Sequence, residues 1–418
     1  MKFRSVLVLV AIAVSGNSVA DVDEQEIAHL REQILILSER LDQLEQSNRE
    51  TAAAQNQTKK EIEETVDLRV DERFADSWAS RIRWKGDFRY RYENIDVEDV
   101  DSRSRERIRA RAHLEARLAD QMKVGLGIAS GSDDPVSSNQ TLGGGGSSKA
   151  LNLDLAYFEW SGLRNTEILG GKFKNILYRP GDNGLLWDGD WRPEGLAADW
   201  NNGHLFAVGI GTWIESDTGT FNDEFAFGVQ AGGNFSLADG LELTVGAGYY
   251  EFDTAGSSSF FGDDDDFFGN SFDPVTMTYL YNYHELEAFA DLRFQLFGRP
   301  SSIFVDYVTN LDVEQNDTGY AFGLTSGTTD SPGSWEFSVI YEELQADAVL
   351  GLLTDSDFGS GGTNARGYIV SGAYAFHKSW NAMMTYYIND IGIDDIGLGT
   401  SNPRGLDRLQ LDLNFKYQ

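Results

Sequence analysis

The sequence predicts an all-β fold, a transmembrane antiparallel β-barrel of about sixteen strands, preceded by an N-terminal α-helical coiled coil. Three observations on the 418-residue chain lead to this prediction. Apolar and polar residues alternate from residue 81 to the end, one arginine-rich segment carries its charges on a single parity, and the connections alternate between short and long. Beyond residue 20 the sequence has no continuous apolar run long enough for a membrane-spanning helix.

In the segment 103–118, the residues at even-numbered positions differ in chemistry from those at odd-numbered positions, so its two parities have opposite character. One parity is apolar and consists of Ile108, Ala110, Ala112, Leu114, Ala116 and Leu118. The other parity is polar and mostly cationic, with Arg103, Arg105, Arg107, Arg109, Arg111, His113, Glu115 and Arg117. A strand sends successive side chains to opposite faces, so the segment has one apolar face and one face with a ladder of cations. A helix would place charges beside Ile108 and Ala112 and leave no apolar stripe, although Arg, Ala, Glu and Leu all favour helices.

A row of like charges at alternate positions is unfavourable on an ordinary soluble sheet, because each charge repels the next. The row is tolerable where water and counter-charges face it. A transmembrane β-barrel provides both conditions, since its apolar parity faces lipid and its polar parity faces an aqueous lumen.

The first twenty residues have the features of a secretory signal peptide. Lys2 and Arg4 precede an apolar stretch over residues 6–14, and Ser18 and Ala20 are small residues that suit cleavage. The sequence contains no cysteine, so an exported fold must rely on packing and hydrogen bonds rather than disulfides.

Residues 21–76 are expected to form a periplasmic coiled-coil helix and a linker. Their apolar residues follow an a/d heptad spacing, with Ile27, Leu30, Ile34, Leu37, Leu41 and Leu44. This narrow seam favours self-association over the alternative, a helix folded back against the barrel mouth, which would show a wider apolar face. The seam itself suits two strands at least as well as three.

The barrel is expected to occupy residues 80–418. In the first strand Ile82, Trp84, Phe88, Tyr90 and Tyr92 are assigned to lipid. The third strand contributes Met122, Val124, Leu126 and Ile128, the fourth Leu151, Leu153, Leu155 and Tyr157, and the fifth Leu169 and Phe173. The inward basic set is Arg83, Lys85, Arg89, Arg91, Arg103, Arg105, Arg107, Arg109, Arg111, Arg117, Lys172 and Lys174. Later strands repeat the alternation with more glycine and acid facing inward, down to Leu409, Leu411, Leu413, Phe415 and Tyr417 on the lipid side.

Short and long connections alternate along this region. Short links fall near residues 120, 161–165, 201–203, 238–240, 298–301, 329–333 and 377–379, and long ones near 130–149, 176–194, 254–284, 343–366 and 390–405. Bacterial barrels have short periplasmic turns and long external loops, with both termini in the periplasm, which gives about sixteen strands. A barrel of that size encloses an open aqueous channel.

The charge balance excludes some functions. A formal net charge of −33 argues against nucleic acid as a partner, because a phosphate backbone requires an extended basic surface. Residues 263–266 are four consecutive aspartates without the spaced ligands of a calcium loop, so a solvated loop tip is the better interpretation. The five histidines lack metal-ligand spacing, and no metal site or cofactor is predicted.

Two stretches of the chain resemble a known family. They are Gly170-Gly171-Lys172-Phe173-Lys174-Asn175 with the following Tyr178-Arg179-Pro180-Gly181, Trp187-Asp188-Gly189-Asp190 and Pro193-Glu194-Gly195, and the later Asp355-Ser356-Asp357-Phe358-Gly359-Ser360-Gly361-Gly362. At these residues the chain resembles the putative porin family of Gram-negative outer membranes and, more distantly, the phosphate- and polyphosphate-selective porins. The resemblance covers roughly residues 81–418.

The resemblance implies a passive diffusion channel for small hydrophilic solutes or ions, surrounded by outer-membrane lipid and lipopolysaccharide. It also implies a homotrimer and a third external loop, residues 176–194, that folds into the lumen. The acidic residues of that loop would then face the basic wall: Asp182, Asp188, Asp190 and Glu194.

Opposed charges across a narrow waist would orient and sort solutes, with a modest preference for anions. In the simpler alternative the arginines only pair with the loop carboxylates and hold the loop in place.

Two other functions compete with a channel. An enzyme is disfavoured because the sequence has no Gly-x-Ser-x-Gly turn and no specific Ser/His/acid set. A structural protein that tethers the envelope through its coiled coil remains an alternative, as does a phosphate- or anion-selective channel.

Overall fold

The structure is a computed structural model that describes residues 24–75, 78–216 and 224–417. The chain divides into two units, Met1–Ser80 and Arg81–Gln418. Residues 1–20, the predicted signal peptide, lie outside the described residues.

The first unit contains one long helix, α1 (Glu24–Ala75), and a 3₁₀ turn at Trp78–Arg81 begins after it. At 1.5 Å per residue its 52 residues extend on the order of 80 Å. Among the predicted seam residues Ile34, Leu37, Leu41 and Leu44 are 58–65% exposed, and the side chains of Ile27 and Leu30 lie outside the described residues. The helix is confirmed, whereas its pairing with another helix stays a prediction. Within the described ranges, no helix has both the length and the apolar character needed to cross a membrane.

The second unit contains sixteen long strands. They are β1 (Ile82–Val97), β2 (Arg103–Ala119), β3 (Met122–Ser130), β4 (Leu151–Leu163), β5 (Thr166–Lys172), β6 (Glu194–Asn201), β7 (Leu205–Glu215), β8 (Glu224–Ala238), β9 (Leu241–Phe252), β10 (Tyr283–Leu296), β11 (Arg299–Asn310), β12 (Thr318–Gly327), β13 (Trp335–Leu344), β14 (Ala365–His377), β15 (Trp380–Ile391) and β16 (Arg404–Tyr417). Short two-residue bridges at Gln140–Thr141, Phe272–Asp273 and Thr278–Tyr279 lie in the long loops.

The sixteen strands form a closed antiparallel barrel. Each strand pairs with its neighbours in sequence, and β1 also pairs with β16 over twelve residue pairs from Gly86 opposite Tyr417 to Val97 opposite Leu406. Closure leaves no unpaired strand edge, which a sheet in lipid requires. The predicted fold class and the count of sixteen strands are therefore confirmed.

Apolar and charged side chains are distributed in the opposite way to a soluble protein. On the outer parity Leu126, Phe227 and Leu411 are 55%, 60% and 43% exposed, while on the inner parity Glu93 and Asp412 are 0% and 5% exposed. An apolar outer band and a polar interior are the arrangement of a membrane barrel.

The predicted facing of β4 and β5 is wrong in part. The pairing of β3 with β4 shifts register between Gly127 and Ile128, so one extra residue of β4 reverses its parity. Leu153 is 54% exposed as predicted, but Leu155 is 2% exposed and faces inward, and Tyr157 donates a 3.5 Å hydrogen bond to inward-facing Glu115.

Leu169 and Phe173 also face inward, at 6% and 0% exposure. The physical reason is that the lumen holds an apolar core. Loop 3 (residues 173–193), loop 5 (253–282) and loop 7 (345–364) fold into the barrel, and their buried side chains pack together and against the wall. This core includes Leu185, Leu186, Trp187, Trp191, Phe260, Phe267, Val349, Leu350, Leu352 and Leu353.

Candidate functional site

The arginine ladder of β2 faces a second row of arginines on β1. The register places Arg109 opposite Arg89 and Arg107 opposite Arg91. Like charges directly opposite each other are destabilising, so this wall requires carboxylates. Two come from β1: Glu93 pairs with Arg105 and with Arg107, the latter at 3.7 Å, and Asp87 pairs with Arg109 at 3.0 Å and Arg111 at 2.8 Å.

The last strand supplies a third carboxylate. Asp412 of β16 accepts two 2.8 Å hydrogen bonds from the Nε and Nη2 atoms of Arg91 and lies 3.9 Å from Arg89. Bidentate pairs of this kind are among the stronger charge-assisted contacts. The closing seam between β1 and β16 thus carries ion pairs as well as backbone hydrogen bonds.

Loop 3 contacts the ladder through Asp190. Its Oδ1 atom lies 2.7 Å from Arg111, 3.7 Å from Arg109 and 4.0 Å from Arg192, and its Oδ2 atom accepts a 2.8 Å hydrogen bond from Ser138 Oγ. Burial alone would raise the pKa of Asp190, but the three guanidinium groups outweigh burial and hold that pKa well below its usual range. Asp190 is therefore a charged anchor between loop 3 and the wall.

The other three acidic residues predicted to face the arginines do not contact them. Asp188 accepts backbone hydrogen bonds from Asp190 at 2.6 Å and Ser356 at 3.0 Å, and burial, together with Asp355 and Asp190, raises its pKa well above the usual value. Asp182 lies in a short 3₁₀ turn with φ of 54°. Glu194 begins β6 and pairs with Lys172 at 2.5 Å.

Loop 7 provides the anchor that sequence reasoning missed. Asp357 lies 2.8 Å from Arg91 and 2.9 Å from Arg408, whose side chains are about 5% exposed. Arg408 also donates hydrogen bonds of 3.4 Å to the carbonyl oxygens of Ser356 and Gly359. The sequence did contain a signal for this anchor, because the Asp355–Gly362 stretch carries the family resemblance. The resemblance assigned no function to its residues.

Hydrogen bonds from uncharged donor groups hold loop 3 against the remaining wall. The backbone N–H of Tyr178 donates a 2.7 Å hydrogen bond to Gln230, and its hydroxyl donates a 2.7 Å bond to Asp291. Asn183 donates a 2.9 Å hydrogen bond to Asp306. Loop 3 also contacts loop 7, because Asp188 N donates to the Leu353 carbonyl at 2.8 Å.

The remaining basic residues of the predicted set lie in different places. Arg83, Arg103 and Arg117 are exposed near strand ends, and Lys85 pairs with Glu115 at 3.3 Å. The register pairs Gly170 with Leu196 and Lys172 with Glu194, so Lys172 shares the outward parity of exposed Leu196. The prediction that Lys172 faces inward is wrong, because Leu169 occupies the inward parity and packs on the loop core.

Two cavities lie on either side of loop 3. The first, about 350 Å³, is bounded by the strand ends that carry long loops and by loops 2 (residues 131–150), 3, 5 and 7. The second, about 800 Å³, lies between loop 3 and the strand ends that carry short turns. Asp190 and Arg192 belong to the walls of both. We call these cavities the outer vestibule and the inner chamber, since short turns are periplasmic in bacterial barrels.

One group of residues could hold a metal ion. Glu251, Asp253 and His284 each offer a ligand atom, and these atoms lie within 4.8 Å of one another. His284 Nδ1 also lies 3.0 Å from Asp312. The residues come from separate strands and loops, so their sequence spacing gave no sign of the group.

The family described as "Putative porin" matches residues 96–260 and 269–417. The chain belongs to this family. No protein with a curated description matches the chain in sequence.

Solved structures give the same fold. The chain is similar to the high-pH structure of Pseudomonas putida OprB, with 13% identity and a TM-score of 0.53 over 81% of this chain and 95% of that one. Weaker likenesses are to Salmonella typhi OmpF in complex with daunomycin, with 12% identity and a TM-score of 0.49 over 80% of this chain and 97% of that one, and to the trimer form of Vibrio cholerae OmpT, with 12% identity and a TM-score of 0.44 over 80% and 99%. The family places this porin among outer-membrane channels rather than enzymes.

The loop 7 anchor can be tested by substitution. Asp357→Asn leaves Arg408 without a carboxylate partner in the described chain, and removing one member of a buried pair costs about 3–5 kcal/mol. We expect a loss of that size in the free energy of unfolding, measured by urea titration of tryptophan fluorescence in micelles. Asp239→Asn, in an exposed turn, is the control and should change stability by less than about 0.5 kcal/mol. A loss below about 1 kcal/mol for Asp357→Asn would contradict an anchoring role.

Proposed function

We propose that this porin is a passive diffusion channel for small hydrophilic solutes, with a modest preference for anions that arises in the inner chamber. One observation supports the preference above others: the chamber wall carries six cationic side chains against three carboxylates, in a chain of net charge −33. The cations are Arg109, Arg111, Lys174, Arg179, Arg192 and Arg293, and the carboxylates are Asp182, Asp190 and Asp199. Short-range charges in a confined lumen outweigh distant loop acids, which salt screens over about 8–10 Å.

Lys174 is the chamber cation best placed to act on a solute. It is exposed to the lumen, and in the described part of the chain no carboxylate lies within ion-pair distance of its ammonium group. Burial lowers its pKa, and Arg192 and Arg111 lower it further. A cation surrounded by cations attracts an anion from solution.

The arginines of the ladder have a different role in this proposal. Arg105, Arg107, Arg109 and Arg111 each pair with a carboxylate of β1 or loop 3, so much of their field is neutralised. Arg109 and Arg111 hold loop 3 through Asp190, as in the simpler alternative, while the unpaired cations give the preference for anions. A phosphate-selective channel is a narrower version of the same proposal.

We also propose that the porin is a homotrimer in the outer membrane, with α1 in the periplasm. The exposed Ile34, Leu37, Leu41 and Leu44 support association of α1 with copies of itself, because an isolated helix leaves this apolar seam in water. Such a helix is also long enough to connect the barrel to other parts of the envelope. Tethering is therefore the second candidate function.

Replacing Lys174 tests the selectivity. We expect Lys174→Gln to lower the anion-to-cation permeability ratio about two- to fivefold, because one unit charge at close range in water is removed. The measurement is the reversal potential of single channels across a KCl gradient. Lys378→Gln, in the short turn between β14 and β15, is the control. An unchanged ratio in Lys174→Gln would place the selective groups elsewhere.

The helix seam can be tested with cysteines, because the chain has none of its own. Leu37 occupies a d position, so Leu37→Cys in the full-length porin should form inter-subunit disulfides under mild oxidation. Glu39→Cys, on the opposite side of the helix, is the matched control and should stay mostly monomeric on non-reducing gels. Equal crosslinking at both positions would mean that random collision, rather than a coiled coil, joins the helices.

A further inference from the structure

The two cavities separated by loop 3 have walls of opposite charge. Apart from the Lys172–Glu194 pair, which lies on the outward parity of β5 and β6, the outer vestibule is lined by five carboxylates and one cation, whereas the inner chamber has six cations and three carboxylates. The vestibule acids are Asp133, Asp134, Asp154, Asp190 and Glu215, and its cation is Arg192.

The charge of the wall changes from negative to positive over a short distance that a few ion pairs span. Arg192 lies 3.2 Å from Asp154 on the vestibule side and 4.0 Å from Asp190, which in turn lies 2.7 Å from Arg111 on the chamber side. The four groups form a chain of alternating charges between the cavities. Beyond its two ends lie Asp133 and Asp134 in the vestibule and Lys174 and Arg179 in the chamber.

The groups at these ends are available to a solute. Asp133 is exposed, and Asp134 uses one oxygen to accept a 2.9 Å hydrogen bond from the Val136 N–H and has the other oxygen available. Among the residues that the structure describes, Arg179 donates only to backbone carbonyls, those of Trp187 at 3.2 Å and Asp182 at 2.9 Å.

A singly charged solute meets one unfavourable region on this path. An anion is repelled in the vestibule, and a cation is repelled in the chamber. A solute that carries both charges is attracted in both when its cationic end points outward and its anionic end points toward the periplasm. A small zwitterion matches the reversal of sign, because its two charges are only a few bonds apart.

We propose that small zwitterions, such as amino acids and related ammonium acids, are the preferred solutes of this channel and pass the Asp190–Arg192 junction with the ammonium group pointing outward. The proposal rests on the proposed diffusion function and adds the solute class and its orientation. Asp133 and Asp134 attract the ammonium group in the vestibule, and Lys174 and Arg179 attract the acid group in the chamber, so the solute meets the two sets in turn. Both cavities, at about 350 Å³ and 800 Å³, are much larger than a two-carbon zwitterion.

The test compares three solutes of similar size and different charge. Full-length porin in proteoliposomes is loaded at neutral pH and low KCl with labelled taurine, a zwitterion, with ethanesulfonate, an anion, or with choline, a cation. A neutral sugar, arabinose, reports whether the channel is open. We expect taurine to leave faster than either ion, and ethanesulfonate faster than choline.

Two charge-neutralising variants identify the sites. In Asp133→Asn with Asp134→Asn, where the amide can keep the hydrogen bond to Val136, taurine efflux should slow about three- to fivefold while ethanesulfonate efflux rises. In Lys174→Gln, taurine efflux should slow by a similar factor while choline efflux becomes faster. Lys378→Gln should change none of the rates.

The outcomes separate the two proposals. Taurine efflux no faster than that of both ions, or an unchanged taurine-to-ethanesulfonate ratio in the vestibule variant, overturns the zwitterion proposal while arabinose efflux still supports a diffusion channel. If arabinose does not leave the wild-type vesicles, the diffusion function itself fails.

Discussion

The structure depends on how the barrel neutralises two facing rows of arginines. The β1–β2 register sets Arg89 against Arg109 and Arg91 against Arg107, so their repulsion must be offset by carboxylates. Asp87 and Glu93 of β1 supply part of the balance, and the rest comes from other parts of the chain. Asp412 arrives from the closing strand, Asp190 from loop 3 and Asp357 from loop 7. One electrostatic requirement therefore links barrel closure to the folding of two external loops into the lumen.

The inward loops then determine the path through the barrel. Their apolar side chains, including Trp187, Trp191 and Leu353, form a core inside the lumen, so part of its cross-section is closed to water. Within the described residues, the polar space beside this core includes two cavities whose walls share Asp190 and Arg192. Because most ladder arginines are already paired, we propose that selectivity comes from the few charges that loop folding leaves without partners.

The strand pattern could be predicted from the sequence because alternation is a local property that pairing with any neighbour preserves. The exceptions are instructive: Leu155 faces inward because of a register shift, and Leu169 and Phe173 face inward because distant loops supply an apolar core. For the site, the ladder followed from parity, and the contact of Asp190 followed from the family resemblance, which implies a third loop folded into the lumen. No sequence period encodes the three-dimensional folding of loop 7. The ion pair of Asp357 with Arg91 and the hydrogen bond from Ser356 to Asp188 both depend on that folding.

We propose that ion pairs between the arginines of β1 and β2 and the carboxylates Asp357 and Asp190 hold the loops that narrow the channel. Single-channel conductance of Asp190→Asn in planar bilayers tests it most directly, with Asp264→Asn at the exposed tip of loop 5 as the control. We expect a larger and noisier conductance for Asp190→Asn than for wild type, because loop 3 loses its charged contact with Arg109 and Arg111. A conductance equal in size and noise to that of wild type and Asp264→Asn would contradict it and would mean that the apolar core alone holds loop 3.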